Sequence, residues 1–134
     1  MPKVSVIMAS YNHEKYVSQA VQSVLDQTFQ DFEIVITDDA SQDHTAAEIG
    51  KFTDRRIRFF QLPSNRGQFV ATNHCLRRAQ GEYVAILNSD DFFLPQKLEE
   101  QVRFLDTHPD VAAVFTQARI VDDQGRRVRD RKTF

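Results

Sequence analysis

The chain has 134 residues, a length that suits one domain, and an apolar fraction of 41% that includes eleven phenylalanines and can fill a core. Its single cysteine, Cys75, excludes an internal disulfide and a thiolate metal cluster, and a net charge of −2 gives no general attraction to nucleic acid. The first apolar run, at 4–9, is too short to cross a bilayer and follows no basic leader. We therefore expect a cytoplasmic domain that binds no nucleic acid, with peripheral association with the inner face of a membrane left open.

Short runs of β-branched and aromatic residues predict five buried, parallel strands, at 3–9, 32–37, 57–60, 83–87 and 111–116. Helical spacing of apolar residues predicts helices at 17–25, 45–52, 67–79 and 98–105. This alternation is typical of right-handed crossovers and of a mostly parallel sheet with helices on both faces. From 118 the pattern predicts a hairpin with its turn at 123–125. We predict one α/β domain over 1–134, with a core at 1–117 and a hairpin and truncated tail at 118–134.

Polar residues follow four of the predicted strands, at 10–12, 38–39, 65–67 and 88–91. In parallel sheets, ligands bind outside the carboxyl ends of the strands, so these residues should line one cleft. Tyr11 offers a ring face on which a base can stack, and Asp39 can accept the imide N–H of a uracil. Arg66 can donate to a carbonyl or a phosphate. Together these side chains suit a pyrimidine nucleotide.

Asp90 and Asp91 interrupt an apolar sequence, because a strand precedes them and Phe92, Phe93 and Leu94 follow. Ionised carboxylates in apolar surroundings need a cation or several hydrogen bonds. Mg²⁺ and Mn²⁺ are usually held by one or two carboxylates together with substrate phosphates, and such a metal stabilises a diphosphate leaving group. For the pair alone, a turn or a helix cap explains the residues equally well. The polar residues at three other strand ends favour the metal.

Other common sites are not indicated. The histidines show no i, i+3 or i, i+4 pairing, which argues against a histidine metal site, and we expect all four to be structural or exposed: His13, His44, His74 and His108. No glycine-rich dinucleotide motif or P-loop occurs, so phosphate binding would depend on the metal and Arg66. Cys75 lies on a stripe of small residues in a predicted helix, which favours core packing over nucleophilic chemistry.

In order along the chain, five segments resemble the family 2 glycosyltransferases, which share the GT-A fold. They are VSVIMASYN at 4–12, SVLDQTF at 23–29, FEIVITDDAS at 32–41, NRG at 65–67 and GEYVAILNSDD at 81–91. Within that family the chain is most similar to the bacterial enzymes of spore-coat polysaccharide. The resemblance implies a Rossmann-like enzyme that uses Mn²⁺ or Mg²⁺. It would transfer a sugar from a nucleotide-diphosphate sugar, by family tendency a UDP-sugar, to a saccharide or lipid-linked acceptor by inverting displacement.

The same resemblance implies roles for individual residues of the site. The nucleotide-binding set would be Ser10, Tyr11, Asp39, Asn65, Arg66 and Asp90. Tyr11 and Asp39 would contact the uracil and Asp90 the ribose, while Asp91 would bind the metal that bridges the diphosphate. The chain has Asn88 where the family motif D-x-D-D begins with an acid, which questions a direct role for that position and leaves Asp90 and Asp91 intact.

The family's catalytic base, a carboxylate that deprotonates the acceptor hydroxyl, lies well beyond the acidic pair. No segment after Asp91 resembles it, and Asp122 and Asp123 fall in the predicted hairpin. We therefore expect the base beyond Phe134, with this chain as the donor-binding part of a longer protein. One alternative is a non-catalytic nucleotide-binding module. Another is a phosphate-signalling receiver domain, although such a domain needs an acidic pair after its first strand, where this chain has Tyr11 and Asn12.

Overall fold

The computed structural model describes residues 1–131, and the last three residues of the predicted tail lie outside the described residues. The chain divides into two compact units, Met1–Glu99 and Glu100–Phe134. The division falls within the last predicted helix and not at 117/118, where the sequence suggested the end of the core. A single domain over 1–134 stays a prediction.

Strands and helices alternate in the first unit in the predicted order. Its strands are β1 (Val4–Ser10), β2 (Phe32–Asp38), β3 (Ile57–Gln61) and β4 (Tyr83–Ile86), and its helices are α1 (Val17–Leu25), α2 (Thr45–Gly50) and α3 (Gln68–Leu76). Helix α4 (Lys97–Thr107) spans the division, and β5 (Ala118–Val121) and β6 (Arg127–Arg131) belong to the second unit. Within residues 1–131, no helix has the length and hydropathy needed to cross a membrane.

The sheet of the first unit is parallel throughout, with the strand order β3-β2-β1-β4. The chain moves outward from β1 to β3 and then returns to β4 on the other side of β1. Because crossovers between parallel strands are right-handed, this reversal places the connecting helices on opposite faces. α1 and α2 contact each other, whereas α3 contacts β1 and β2. The predicted parallel sheet is confirmed, and its reversal point lies between β1 and β4.

The core follows the predicted patterns. β2 is buried along its whole length and β1 almost so, since both have a strand on each side. On α1 the residues at helical spacing are the buried ones, namely Val17, Ala20, Val21 and Val24. On α3 the small side chains Ala71 and Cys75 are buried, and the thiol of Cys75 donates to the backbone carbonyl of Met8 at 3.4 Å. Burial raises the pKa of the Cys75 thiol, which fits the predicted packing role.

Three strand predictions are wrong in whole or in part, and one of them is β3, which is present but only half-buried along its length. The run at 111–116 forms no strand, and Phe115 within it is 82% exposed. β4 is present but not buried on both faces, because Val84 and Ile86 are exposed. The β-propensity of a residue describes how well its side chain packs on a pleated sheet beside neighbouring side chains. A run with high propensity therefore forms a strand only where another strand pairs with it. Among the described residues, β4 pairs with β1 alone, and 111–117 pairs with no strand.

The second unit contains the predicted hairpin, in which β5 and β6 pair antiparallel. Asp122 precedes the turn, and its carboxylate accepts the N–H groups of Gln124 and Arg126 at 3.0 and 2.8 Å. The backbone hydrogen bond from Arg126 holds the pKa of Asp122 below its ordinary value. Asp122 therefore serves as an acceptor within the turn.

A buried polar network closes the amino-terminal end of the sheet. Glu33 is 6% exposed, and its carboxylate accepts the Ser5 hydroxyl at 2.6 Å, the backbone N–H of Gln80 at 2.7 Å and the Arg58 guanidinium at 2.8 Å. Ser5 Oγ in turn accepts the N–H of Gly81 at 2.8 Å. The network thus fixes the chain that enters β4 against β1 and β2.

Gly81→Ala should destabilise the protein, because a Cβ at this position would lie 2.5 Å from the backbone nitrogen of Ser5. We expect a loss of about 1–3 kcal/mol in the free energy of unfolding, typical of overpacking. Urea denaturation measures it. The matched control is Gly50→Ala, where an added Cβ meets nothing within 4 Å. Equal stability of the two variants would contradict the close approach.

Glu33→Gln tests the network through pH. Burial by itself would raise the pKa of Glu33, but the hydrogen bonds from Ser5, Arg58 and Gln80 outweigh it and hold the pKa below the ordinary 4.5. A depressed folded pKa contributes stability that is present above the unfolded value and lost as pH falls through the folded one. The variant should therefore be less stable than the parent at about pH 7, with a difference that shrinks at about pH 3. A difference in urea midpoint that does not depend on pH would rule this out.

Candidate functional site

The loops after β1 and β2 are joined by hydrogen bonds. Ser10 Oγ donates to Asp38 at 2.9 Å, and the same carboxylate accepts the backbone N–H and the hydroxyl of Ser41 at 2.8 and 2.6 Å. Asn12 donates its backbone N–H to Ser41 Oγ and accepts the N–H of Gln42 on its side-chain oxygen, both at 2.9 Å. The two strand ends therefore form one connected structure.

Each of these loops contains a residue in the left-handed region of backbone space. Asn12 has φ 50° and Ala40 has φ 60°. For a residue with a Cβ this conformation costs roughly 1–2 kcal/mol, and Asn tolerates it better than Ala because its side chain can hydrogen-bond locally. Such strain persists where neighbouring contacts over-determine the backbone, and it is concentrated at functional sites. Here the hydrogen bonds of Asp38 and Asn12 supply those contacts.

Asp39 anchors a third loop. Asp39 is only 2% exposed, and its two carboxylate oxygens accept the backbone N–H groups of Arg66 and Gly67 at 2.7 and 2.8 Å. Gly67 has φ 94°, a conformation that favours glycine, and α3 begins at the next residue. A carboxylate has about four lone-pair positions, and these two hydrogen bonds use two of them. Asp39 thus brings the predicted residues at 65–67 to the end of β2.

The other predicted nucleotide-binding residues differ in their exposure. Ser10 is 2% exposed, and its hydroxyl is bonded to Asp38, so its role in the structure is to connect the loops. Tyr11 is 41% exposed, and Asn65 and Arg66 are also exposed. The side chains of these three residues are accessible to a ligand.

The acidic pair lies at the carboxyl end of β4. Asp90 and Asp91 are both exposed, whereas Ser89 before them is 2% exposed. Asn88 donates from Nδ2 to Asp91 Oδ2 at 3.1 Å and accepts the backbone N–H of Asp91 at 3.1 Å. The expectation of apolar surroundings for the pair is wrong, because the tight turn at 88–91 directs both carboxylates to the surface. Because both carboxylates are exposed to solvent, neither needs a cation to offset a cost of burial.

The carboxylate oxygens of Asp90 and Asp91 nonetheless suit a divalent metal ion. Among the described residues, no group of three or more His, Cys, Asp or Glu side chains is placed to hold an ion by protein ligands alone. Mg²⁺ and Mn²⁺ accept oxygen ligands, and Mg²⁺ commonly uses one or two carboxylates while it keeps water and phosphate oxygens. Two exposed, adjacent carboxylates match that pattern. They suit an ion that is shared with a phosphate-bearing ligand.

Sequence reasoning missed His13. Its Nδ1 lies 2.7 Å from Ser89 Oγ, and its Nε2 lies 4.0 Å from Asp90 Oδ2. Its backbone N–H donates to Thr45 Oγ1 at 2.8 Å. The histidine spacings of i, i+3 and i, i+4 concern residues on one helix, whereas this contact joins the loop after β1 to the turn after β4. The position of His13 directly after Tyr11 and Asn12 was the available signal.

The chain matches the family model described as "Glycosyl transferase family 2" over residues 5–133. It is 38% identical over 102 residues to WfgD of Escherichia coli, a UDP-Glc:α-D-GlcNAc-diphosphoundecaprenol β-1,3-glucosyltransferase, and the match covers 76% of this chain and 40% of WfgD. The chain spans less than half the length of the curated relatives it matches.

Two solved structures of sugar-nucleotide-binding proteins are similar to this chain. TarS of S. aureus in complex with UDP superposes with a TM-score of 0.76 at 34% identity, over 80% of this chain and 33% of the TarS chain. The mannosyltransferase PcManGT from Pyrobaculum calidifontis, in complex with GDP-Man and Mn²⁺, gives a TM-score of 0.72 at 27% identity, over 78% of this chain and 32% of its own.

These matches remove one of the alternatives. A phosphate-signalling receiver domain is excluded, since the family model covers nearly the whole chain. The finer resemblance to enzymes of spore-coat polysaccharide stays a prediction. The mostly parallel sheet, the polar loops at its carboxyl edge and the family match lead to one conclusion: the chain belongs to glycosyl transferase family 2 and has the GT-A fold.

Proposed function

We propose that the whole protein transfers a sugar from a UDP-sugar to an acceptor hydroxyl, and that this chain supplies the donor site. One observation carries the proposal: two exposed carboxylates, Asp90 and Asp91, lie at the carboxyl end of β4, beside the strand reversal where α/β sheets bind ligands. The UDP bound to TarS and the GDP-Man and Mn²⁺ bound to PcManGT support a nucleotide-sugar donor and a divalent metal.

In this proposal, Asp91 is the protein ligand of Mn²⁺ or Mg²⁺. Such an ion, when bound, neutralises the charge that develops on a diphosphate leaving group. Asn88 has a supporting role, because its Nδ2 donates to Asp91 Oδ2 and restricts the direction of the carboxylate. Asn88 replaces the first acid of the family motif with a hydrogen-bond donor to the metal ligand, and the site thereby carries one negative charge fewer.

The nucleoside would lie across the loops of β1 and β2. Tyr11 offers its exposed ring to the base, and the remaining lone pairs of Asp39 accept the imide N–H of uracil. Asn65 and Arg66 belong to the loop that Asp39 anchors, so base recognition and loop position depend on one carboxylate. Ser10 acts indirectly, since its hydroxyl is bonded to Asp38. Asp90 is assigned to the ribose.

We assign the acceptor side of the same displacement to the rest of a longer protein, because this chain spans less than half the length of the curated relatives it matches. Inverting displacement needs a base for the acceptor hydroxyl, and we place it after Phe134. The acceptor would be a saccharide or a lipid-linked sugar, and the name of WfgD, which includes a diphosphoundecaprenol acceptor, supports the lipid-linked class. A protein with such an acceptor would work at the cytoplasmic face of a membrane. By itself, the chain would bind donor without transferring sugar, which is the behaviour of a nucleotide-binding module.

Asp91→Asn should remove metal-dependent nucleotide binding, because an amide oxygen is a weaker ligand for a hard cation than a carboxylate. Calorimetry with UDP and Mn²⁺, against a baseline with chelator, measures it. UDP and Mn²⁺ at about 100 times the dissociation constant should also add roughly 2.7 kcal/mol of stability to the parent and much less to the variant. Asp123→Asn, in the exposed turn of the hairpin, is the matched control. No metal-dependent heat in the parent, or an unchanged response in Asp91→Asn, would overturn the assignment.

The base preference is a separate prediction. Asp39 should favour uracil over cytosine, since N3 of uracil carries a hydrogen that a carboxylate can accept, whereas N3 of cytosine is itself an acceptor. With Mn²⁺ present, we expect UDP to bind about tenfold or more tightly than CDP, because hydrogen bonds to charged groups contribute about 1.5–3 kcal/mol. Competition calorimetry compares the two nucleotides on the unmodified chain. Equal affinities would contradict the assigned role of Asp39.

A further inference from the structure

We propose that His13 is a positioning residue for the acidic pair, which acts through Ser89 to set the direction of the carboxylates. The proposal rests on the donor-site function above and adds a residue to it. Its basis is that both ring nitrogens of His13 face the turn that carries the pair, with Nδ1 2.7 Å from Ser89 Oγ and Nε2 4.0 Å from Asp90 Oδ2.

The imidazole is held from several sides. The backbone N–H of His13 donates to Thr45 Oγ1, and Thr45 is fully buried at the start of α2. The ring of Tyr16 lies edge-on to the imidazole, with 6.1 Å between centroids and an interplanar angle of 81°. The left-handed backbone of Asn12 precedes the residue and sets the direction in which it leaves the loop. The backbone of His13 is therefore held by Thr45, and its ring contacts both Tyr16 and the hydroxyl of Ser89.

Ser89 passes this restraint to the carboxylates. It is 2% exposed, and its hydroxyl is within hydrogen-bonding distance of the His13 ring. Asp90 and Asp91 follow it directly and are exposed, so their rotamers are restricted mainly by the backbone of the turn and by local hydrogen bonds. The distance of 4.0 Å from Nε2 to Asp90 is too long for a direct hydrogen bond, which is why the bond to Ser89 carries the effect.

The arrangement also connects the two sides of the strand reversal. His13 belongs to the loop after β1, which the sequence associates with the base, and Ser89 belongs to the turn after β4, which carries the proposed metal ligand. A bond between these loops fixes the separation between base-binding and phosphate-binding groups before a donor arrives. Preorganisation of this kind increases affinity by lowering the entropy lost on binding.

The test measures UDP and Mn²⁺ affinity by calorimetry for the unmodified chain and for His13→Ala, His13→Asn, Ser89→Ala and the double variant His13→Ala/Ser89→Ala. Asn places a polar atom close to where Nδ1 lies and should keep the bond to Ser89. His44→Ala is the matched control, because His44 is also a loop histidine, and its ring Nδ1 lies 2.8 Å from Glu14. Melting temperature without ligand is recorded for every variant.

We expect His13→Ala to weaken binding about tenfold with little change in melting temperature, and His13→Asn to recover most of the loss. The double variant should lose no more than either single one, because residues that act through one bond are coupled.

If the unmodified chain binds and His13→Ala binds equally well, the role of His13 is refuted and the donor site stands. Losses that follow melting temperature in both His13 variants would show a structural role only and also refute it. If the unmodified chain itself shows no metal-dependent binding, the donor site falls and the role of His13 falls with it.

Discussion

The position of β1 between β2 and β4 is the constraint on which the rest of the structure depends. Parallel pairing on both sides aligns the carboxyl ends of three strands, and it does so for residues that are 28 or more positions apart in the sequence, as in the pairs Val4↔Phe32 and Val4↔Tyr83. The order β3-β2-β1-β4 then places the change of direction beside β1. Every polar loop of the candidate site begins at one of these aligned ends or is bonded to one.

Carboxylates at this edge have two different tasks. Asp38 and Asp39 are buried and accept backbone and hydroxyl hydrogens, so they hold the loops in strained conformations without any ligand. Asp90 and Asp91 are exposed, and their turn is fixed by Asn88 and Ser89. The structure therefore separates the buried carboxylates, which hold the loops and of which Asp39 also has the proposed contact with the base, from the exposed carboxylates of Asp90 and Asp91. This separation explains how a strained residue such as Ala40 persists next to a surface that must stay accessible.

Prediction from the sequence succeeded where the signal was local or where a resemblance was specific. The period of apolar residues located α1, and the uninterrupted runs located β1 and β2. The same logic failed at 111–116, because that run has strand propensity but no pairing partner among the described residues. It also failed for the surroundings of Asp90 and Asp91, since the turn at 88–91 directs the acids outward, and of the apolar residues that follow them Leu94 is exposed. Phe93, two residues after Asp91, is buried at 8% exposure.

By itself, the sequence determined the order of helices and strands and the residues at the strand ends, because those depend on spacing along the chain, and it indicated the family through the resemblance of five motifs. Only the tertiary structure decided which of these residues meet. Asp39 turned out to anchor the loop at 65–67, Ser10 to connect two loops rather than face a ligand, and His13 to reach Ser89 across the strand reversal. The physical reason is that hydrogen bonds between strand ends depend on register and on the path of loops, and neither is encoded in the spacing of residues along one strand or helix.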